Sequence, residues 1–94
     1  MTPYTIRPIT AEDRSAWDTL WTGYLNYYNS SVPHAVYDTT FARFFSDDPY
    51  EPRCHLAIQG GAPIGLVHFF QHRHCWHTEN VIYLQDLFVD PAAR

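Results

Sequence analysis

Apolar residues recur at helical spacing between residues 17 and 28. Their separations of three and four positions place them on one face of an amphipathic helix: Trp17, Leu20, Trp21, Tyr24, Leu25 and Tyr28. Thr10, followed three positions later by Asp13, has the capping-box arrangement of a helix N-terminus. Pro33 cannot continue a helix. The pattern therefore predicts a first helix that ends near residues 29–31.

Shorter elements flank this helix. Residues 4–9 form a β-prone run before it. After it, Asp38 and Thr39 are residue types that favour helix N-caps. The helix that they would begin carries an apolar stripe and ends at residues 47–49; the stripe is Phe41, Phe44 and Phe45. We therefore expect the order strand, helix, helix in the first half of the chain.

The second half of the chain has the pattern of three strands. Gly60-Gly61 supplies the positive φ angles of a tight turn between a strand over residues 54–59 and a strand that runs from about Ala62 to His72. The second of these is apolar almost throughout, which predicts burial on both faces. A polar connection over residues 74–80 leads to a third strand, Val81–Val89. The order β-α-α-β-β-β predicts a mixed α/β fold with a largely antiparallel sheet.

Charge and hydropathy argue against two kinds of partner. The 94 residues carry ten acidic and six basic side chains, for a net charge of −4 with neutral histidines. Because phosphate binding requires clustered Lys and Arg, no nucleic-acid partner is expected. No run approaches the ~20 apolar residues of a membrane span, so no membrane partner is expected either.

The two cysteines indicate a reducing compartment. The predicted hairpin register sets Cys54 and Cys75 about 26 Å apart, which is beyond the reach of a disulfide bond. We therefore expect two free thiols. Together with an N-terminus that lacks an apolar signal segment, this predicts a cytoplasmic protein.

The most specific pattern lies at the end of the last strand. Residues 87–94 have the order Leu-x-Val-x-Pro-x-x-Arg, and they follow the β-α-α-β-β-β order at a characteristic distance. Together these features resemble the N-terminal half of the GCN5-related N-acetyltransferase (GNAT) fold. The resemblance implies that residues 1–94 form a single, partial acyl-CoA N-acyltransferase domain. It also implies that acetyl-CoA is the acyl donor.

The resemblance places the acetyl-CoA contacts at the same strand end. Carried over by position, the backbone groups of Leu87, Phe88 and Val89 would bind the pantetheine arm, and their side chains would lie in the core. Arg94 would be the first residue of the loop that binds the pyrophosphate.

Gln85 and Asp86 are adjacent polar residues inside this apolar strand. Because neighbouring strand residues face opposite sides, one of them faces a buried side unless the strand bulges, and GNAT proteins bulge here. Acyl transfer to an amine requires a proton acceptor. Asp86, with its pKa raised by partial burial, is the first candidate, ahead of Glu79 and His72. The alternative is that Asp86 only accepts hydrogen bonds from the backbone at the bulge.

Further side chains are candidates for the acceptor pocket. The end of the first helix forms this wall in GNAT proteins, which points to Tyr27 and Tyr28, whereas core packing is the default for the other aromatic residues of that helix. His72 and Trp76 resemble a segment of some GNAT proteins and would border the same pocket. The neighbouring histidines would need the loop to curl before four ligands could meet, so we expect no metal.

The resulting hypothesis is transfer of an acetyl group from acetyl-CoA to a primary amine of a small molecule or a protein. The alternative is a non-catalytic GNAT fragment that self-associates, because an uncovered apolar last strand pairs readily with another chain. In either case we expect a homo-oligomer. A histidine-rich metal-binding module is the third reading.

Overall fold

The computed structural model describes residues 3–94, which form two helices packed on one face of a four-stranded sheet. The elements follow in this order: β1 (Tyr4–Pro8), α1 (Arg14–Tyr27), α2 (His34–Arg43), β2 (Arg53–Gln59), β3 (Ala62–His72) and β4 (Val81–Val89). Short 3-10 turns precede α1 and follow β4, at Ala11–Asp13 and Pro91–Ala93. The predicted element order is confirmed.

The sheet has the strand order β1-β2-β3-β4, and every neighbouring pair is antiparallel. The turn between β2 and β3 is formed by Gly60 and Gly61, whose φ angles are +59° and +79°. Such angles strain any side chain, which explains why two glycines stand here. The predicted antiparallel character of the sheet is therefore confirmed.

The start of α1 is tied to the end of β1 by one carboxylate. Asp13 accepts hydrogen bonds from the Arg7 guanidinium at 2.8 and 3.0 Å and from the Thr10 backbone N–H at 2.7 Å. The Arg7 hydrogen bond, followed by those from Thr10, outweighs burial and holds the pKa of Asp13 well below its ordinary value. The predicted capping box therefore also joins the helix to the first strand.

The start of α2 differs from the prediction. The helix begins at His34, directly after Pro33, and not at Asp38 or Thr39. Pro33 lies outside the helix with a φ of −62°, where its missing N–H costs no helical hydrogen bond. Asp38 lies within the helix and forms an ion pair with Arg14 of α1 at 2.6 Å.

Only one face of the sheet is covered by the helices. Side chains of directly opposed strand residues share a face, and the helix side includes Leu56 of β2 and Leu66 of β3, which are 0% and 2% exposed beside the fully buried Trp17. On the other side, which we call the open face, five large side chains are more than half exposed: Tyr4, Ile6, Ile82, Leu84 and Leu87. On β3 itself, His68 is buried on the helix side, whereas Val67 and Phe69 on the open face are only partly buried. The prediction that β3 is buried on both faces is therefore wrong.

Both cysteines are free, as predicted: Cys54 is buried and Cys75 is exposed. Within residues 3–94, neither helix is long and apolar enough to cross a membrane.

The two faces predict effects of very different size for the same type of substitution. Leu56→Ala removes a fully buried side chain and should lower the free energy of unfolding by about 2–5 kcal/mol. Leu84→Ala, on the open face, should change it by at most about 0.5 kcal/mol. Chemical denaturation of both variants measures the difference. Equal losses would contradict the assignment of the core to the helix side.

Candidate active site

A bulge in β4 determines which way the candidate catalytic residue faces. His68 pairs with Asp86 and Phe69 pairs with Leu84, so Gln85 is an extra residue without a partner on β3. Asp86 consequently lies on the helix side with the buried Phe88, while Gln85 is exposed. This register confirms the bulge that the adjacent polar residues Gln85 and Asp86 predict.

The carboxylate of Asp86 is held by two side chains, His68 and Tyr24. Its Oδ2 lies 2.9 Å from Nδ1 of His68 on β3, and only 12% of the Asp86 side chain is accessible to solvent. The hydroxyl of Tyr24 on α1 also donates a hydrogen bond to the carboxylate. Asp86 is therefore held by side chains of a helix and of the neighbouring strand, which differs from the alternative in which it accepts hydrogen bonds from the backbone of the bulge.

The pKa of Asp86 shifts in the direction opposite to the prediction. Burial raises the pKa, but the hydrogen bonds from His68 and Tyr24 to the charged form outweigh burial, and the net shift is downward. The expectation of a raised pKa is wrong because it considered burial without these donors. An ionised carboxylate with a low pKa is a weak base, and it is well suited to binding a positive charge.

Close packing of α1 on β4 brings Tyr24 to this carboxylate. Gly23 allows α1 to lie this close to Phe88 of β4, since a Cβ at Gly23 would lie only 2.9 Å from Cζ of Phe88. The ring of Tyr24 lies 5.1 Å from that of Tyr28, which in turn lies 5.1 Å from that of Tyr27. Tyr27 and Tyr28 are 66% and 61% exposed. The structure thus places both predicted acceptor residues on the solvent side of Tyr24.

The other predicted acceptor residues lie elsewhere. His72 is four residues beyond His68 along β3, which corresponds to about 13 Å, and its Nδ1 contacts the carbonyl oxygen of Arg73. Trp76 is 90% exposed in the β3–β4 connection and contacts His74. Their roles as acceptor residues stay predictions. In the part of the chain that the structure describes, no group of three or more potential metal ligands is present.

The predicted acetyl-CoA contacts lie along the sheet edge that β4 forms in the described chain. Leu87 is 61% exposed on the open face, whereas Phe88 is 8% exposed in the core. The expectation that these side chains lie in the core is therefore confirmed for Phe88 and wrong for Leu87, because the alternation of β4 turns Leu87 away from the helices. Arg94 folds back onto the strand: its Nε donates to the carbonyl oxygen of Val89 at 2.8 Å, and its guanidinium lies 5.5 Å from the centre of the Phe88 ring.

Sequence reasoning missed the importance of three side chains: Trp17, Tyr24 and His68. The helical pattern predicts only core packing for Trp17 and Tyr24, and in the sequence His68 stands close to the histidines of the β3–β4 connection, which favours the same exposed setting. The sequence contains one signal for His68. It lies two positions after Leu66 and therefore on the same side of an apolar strand, where a buried polar group requires a partner. Identifying that partner required the register across the bulge.

Comparison with known proteins assigns the chain to a family. Residues 16–94 match the sequence profile of the Acetyltransferase (GNAT) family. The chain belongs to this family of acetyltransferases.

Among its relatives is the D-amino-acid N-acetyltransferase HPA3 of Saccharomyces cerevisiae, which is 36% identical over 91 residues. The match covers 95% of this chain and 56% of HPA3, so the chain spans little more than half of that relative's length.

Solved structures agree with this fold. A possible acetyltransferase from Clostridium difficile 630 superposes with a TM-score of 0.80 at 13% identity, covering 97% of this chain and 60% of the other. A GNAT family acetyltransferase from Staphylococcus aureus superposes with a TM-score of 0.73 at 14% identity, covering 100% of this chain and 67% of the other. At these identities the similarity shows the fold, and it confirms the predicted mixed α/β class.

The Tyr24–Asp86 contact predicts alkaline behaviour. Burial, followed by the hydrogen bond to Asp86, raises the pKa of Tyr24. Protonated Tyr24 therefore contributes its full stability below the unfolded-state pKa of about 10, and the contribution is lost as the pH rises through the higher folded-state value. The difference in tyrosinate absorbance between the wild type and Tyr24→Phe should have its midpoint above pH about 10. A midpoint at or below that pH would contradict the contact. Tyr27→Phe is the matched control for the loss of one tyrosine.

Proposed function

We propose that this chain is part of an enzyme that transfers the acetyl group of acetyl-CoA to a primary amine. The observation that carries the proposal is the carboxylate of Asp86, which His68 and Tyr24 hold at the β4 bulge, in a chain of the GNAT family.

Asp86 binds the acceptor through charge. An amine enters largely as an ammonium ion, which the ionised carboxylate attracts in a site that is mostly shielded from water. The rings of Tyr24 and Tyr28 add cation–π attraction. The ammonium first loses one proton to water, because only the neutral amine has a lone pair that can attack. As this nitrogen bonds to the acetyl carbon, the thioester C–S bond breaks and coenzyme A leaves as the thiolate. Asp86 stabilises the positive charge that grows on the nitrogen, and the nitrogen then releases its second proton to water.

The edge of β4 fits an extended donor molecule. On the outer side of β4, the described chain has no further strand. Backbone groups of Leu87, Phe88 and Val89 would hydrogen-bond the pantetheine arm of acetyl-CoA as an added strand does. The carbonyl oxygen of Val89 already accepts a hydrogen bond from Nε of Arg94, and its second lone pair can accept one from the donor. This contact holds the guanidinium of Arg94 at the strand end, where it would meet the phosphates of the donor.

The acceptor is an amine of a small molecule or a protein. D-amino acids are the first acceptors to test, because HPA3, which is 36% identical, is a D-amino-acid N-acetyltransferase.

Asp86→Asn tests the proposal directly. The amide keeps the shape of the side chain but removes the charge that stabilises the transition state, so kcat for acetylation of an amine should fall by about 100-fold or more. Calorimetric titration should show that acetyl-CoA binding is unchanged, because Asp86 is assigned to the acceptor. Asp47→Asn, which removes an exposed carboxylate, is the control. Full activity of Asp86→Asn, or the absence of acetyl-CoA binding by the wild-type protein, would contradict the proposal.

Self-association is a second candidate property, favoured by the exposed apolar side chains of the open face. Ile82, Leu84 and Leu87 are 65%, 54% and 61% exposed along β4, and a second copy of the chain would cover them. Sedimentation equilibrium should then detect a concentration-dependent dimer, and Leu84→Asp should shift it to monomer. A monomer at every concentration would rule out this candidate.

A further inference from the structure

His68 is the only buried histidine in residues 3–94, with 3% of its surface exposed. Both of its ring nitrogens have partners. Nε2 lies 3.0 Å from the indole nitrogen of Trp17, and Nδ1 lies 2.9 Å from Oδ2 of Asp86. His68 therefore connects the centre of the helix core to the candidate site.

The contact with Trp17 determines the tautomer of His68. An indole N–H is a donor only, so Nε2 of His68 must be the acceptor and cannot carry a proton. The single imidazole proton then lies on Nδ1, where it is donated to Asp86. An unprotonated Nε2 also means that the ring is neutral, and hence the Asp86 charge is not cancelled by an imidazolium.

Aromatic side chains fix the ring plane. The His68 ring lies 4.7 Å from Trp21, 5.2 Å from Phe44 and 6.0 Å from Trp17, measured between ring centres. Rotation of the imidazole would bring it into contact with these rings. The Nδ1–H bond of His68 is consequently held in one orientation, toward Asp86.

We propose that Trp17 and His68 act as a positioning pair, in which the indole fixes the histidine tautomer and the histidine holds Oδ2 of Asp86 in place for the acceptor amine. The kinetic part of this inference rests on the proposed acetyl transfer, whereas the tautomer does not. His68 is a positioning residue and not a base, because Trp17 occupies the nitrogen that would accept a proton.

Other titratable groups near His68 leave this assignment intact. Cys54 lies opposite His68 on β2, and burial raises the pKa of its thiol to about 12, so the thiol stays neutral. Tyr24 on α1 faces the same carboxylate as His68 and has a raised pKa, so it stays protonated. From the α2 side, the contact is the uncharged Phe44.

Nuclear magnetic resonance of the full chain tests the geometry. In the wild type, the imidazole nitrogen shifts of His68 should show a protonated Nδ1 and a bare Nε2 at neutral pH. Trp17→Phe removes the indole donor and should produce a mixture of tautomers. A wild-type ring with its proton on Nε2, or with both nitrogens protonated, would overturn the inference.

Kinetics test the positioning. His68→Leu removes the donor to Asp86 and should lower kcat by about 100-fold with little change in the KM for acetyl-CoA. His68→Asn retains an N–H near the position of Nδ1 and should recover to within about tenfold of the wild type. His77→Leu is the matched control, because His77 pairs with Glu79 at the surface, at 3.6 Å. Equal losses in the Leu and Asn variants would overturn the positioning role.

The carboxyl titration of Asp86 separates this inference from the proposed function. The pKa of Asp86 should rise in His68→Leu and rise less in His68→Asn, whether or not the protein acetylates an amine. If the wild type shows no acetyl transfer, the proposed function fails. The His68 tautomer and the Asp86 titration then still test whether Trp17 and His68 form the positioning pair. An unchanged Asp86 titration in His68→Leu would overturn the pair even in an active enzyme.

Discussion

Trp17 is completely buried, and its indole contacts the second helix and the sheet at once. Its ring centre lies 5.8 Å from that of Tyr37, 5.4 Å from Phe41, 5.5 Å from Phe44 and 6.0 Å from His68. The same side chain therefore sets how the helices pack on the sheet and, through its N–H, how the polar network is ordered. Stability and site geometry cannot be varied independently at this position.

The polar network has a direction. Trp17 donates to His68, and His68 and Tyr24 donate to Asp86, so the donors converge on one carboxylate. In the described chain, the groups that donate to this carboxylate are neutral. Arg7 forms an ion pair with Asp13, and Arg14 forms ion pairs with two other aspartates, Asp18 and Asp38. The site therefore retains a negative charge, and a cation that enters supplies the missing partner.

Local patterns were sufficient for most of the fold. Helical spacing located α1, the two glycines located the hairpin, and adjacent polar residues located the bulge. The start of α2 was missed because Pro33 lies immediately outside the helix, and the later Asp38 looked like a better cap. The site was only partly predictable, since the partners of His68 include a residue 51 positions away. The sign of the Asp86 pKa shift depends on such distant donors, whereas burial alone suggests the opposite sign.

The extra residue in β4 has a consequence for how this strand tolerates insertions and deletions. Leu84 lies on the open face and Asp86 on the helix side, so a strand that lacked Gln85 would present the same residues to the same sides. Gln85 is therefore not required for the alternation that builds the core. What it adds is a local bend and an interruption of the hydrogen-bond ladder next to Asp86. In evolution, deletion of the Gln85 codon would leave the packing of the core almost unchanged. It would change mainly the direction in which the Asp86 carboxylate points.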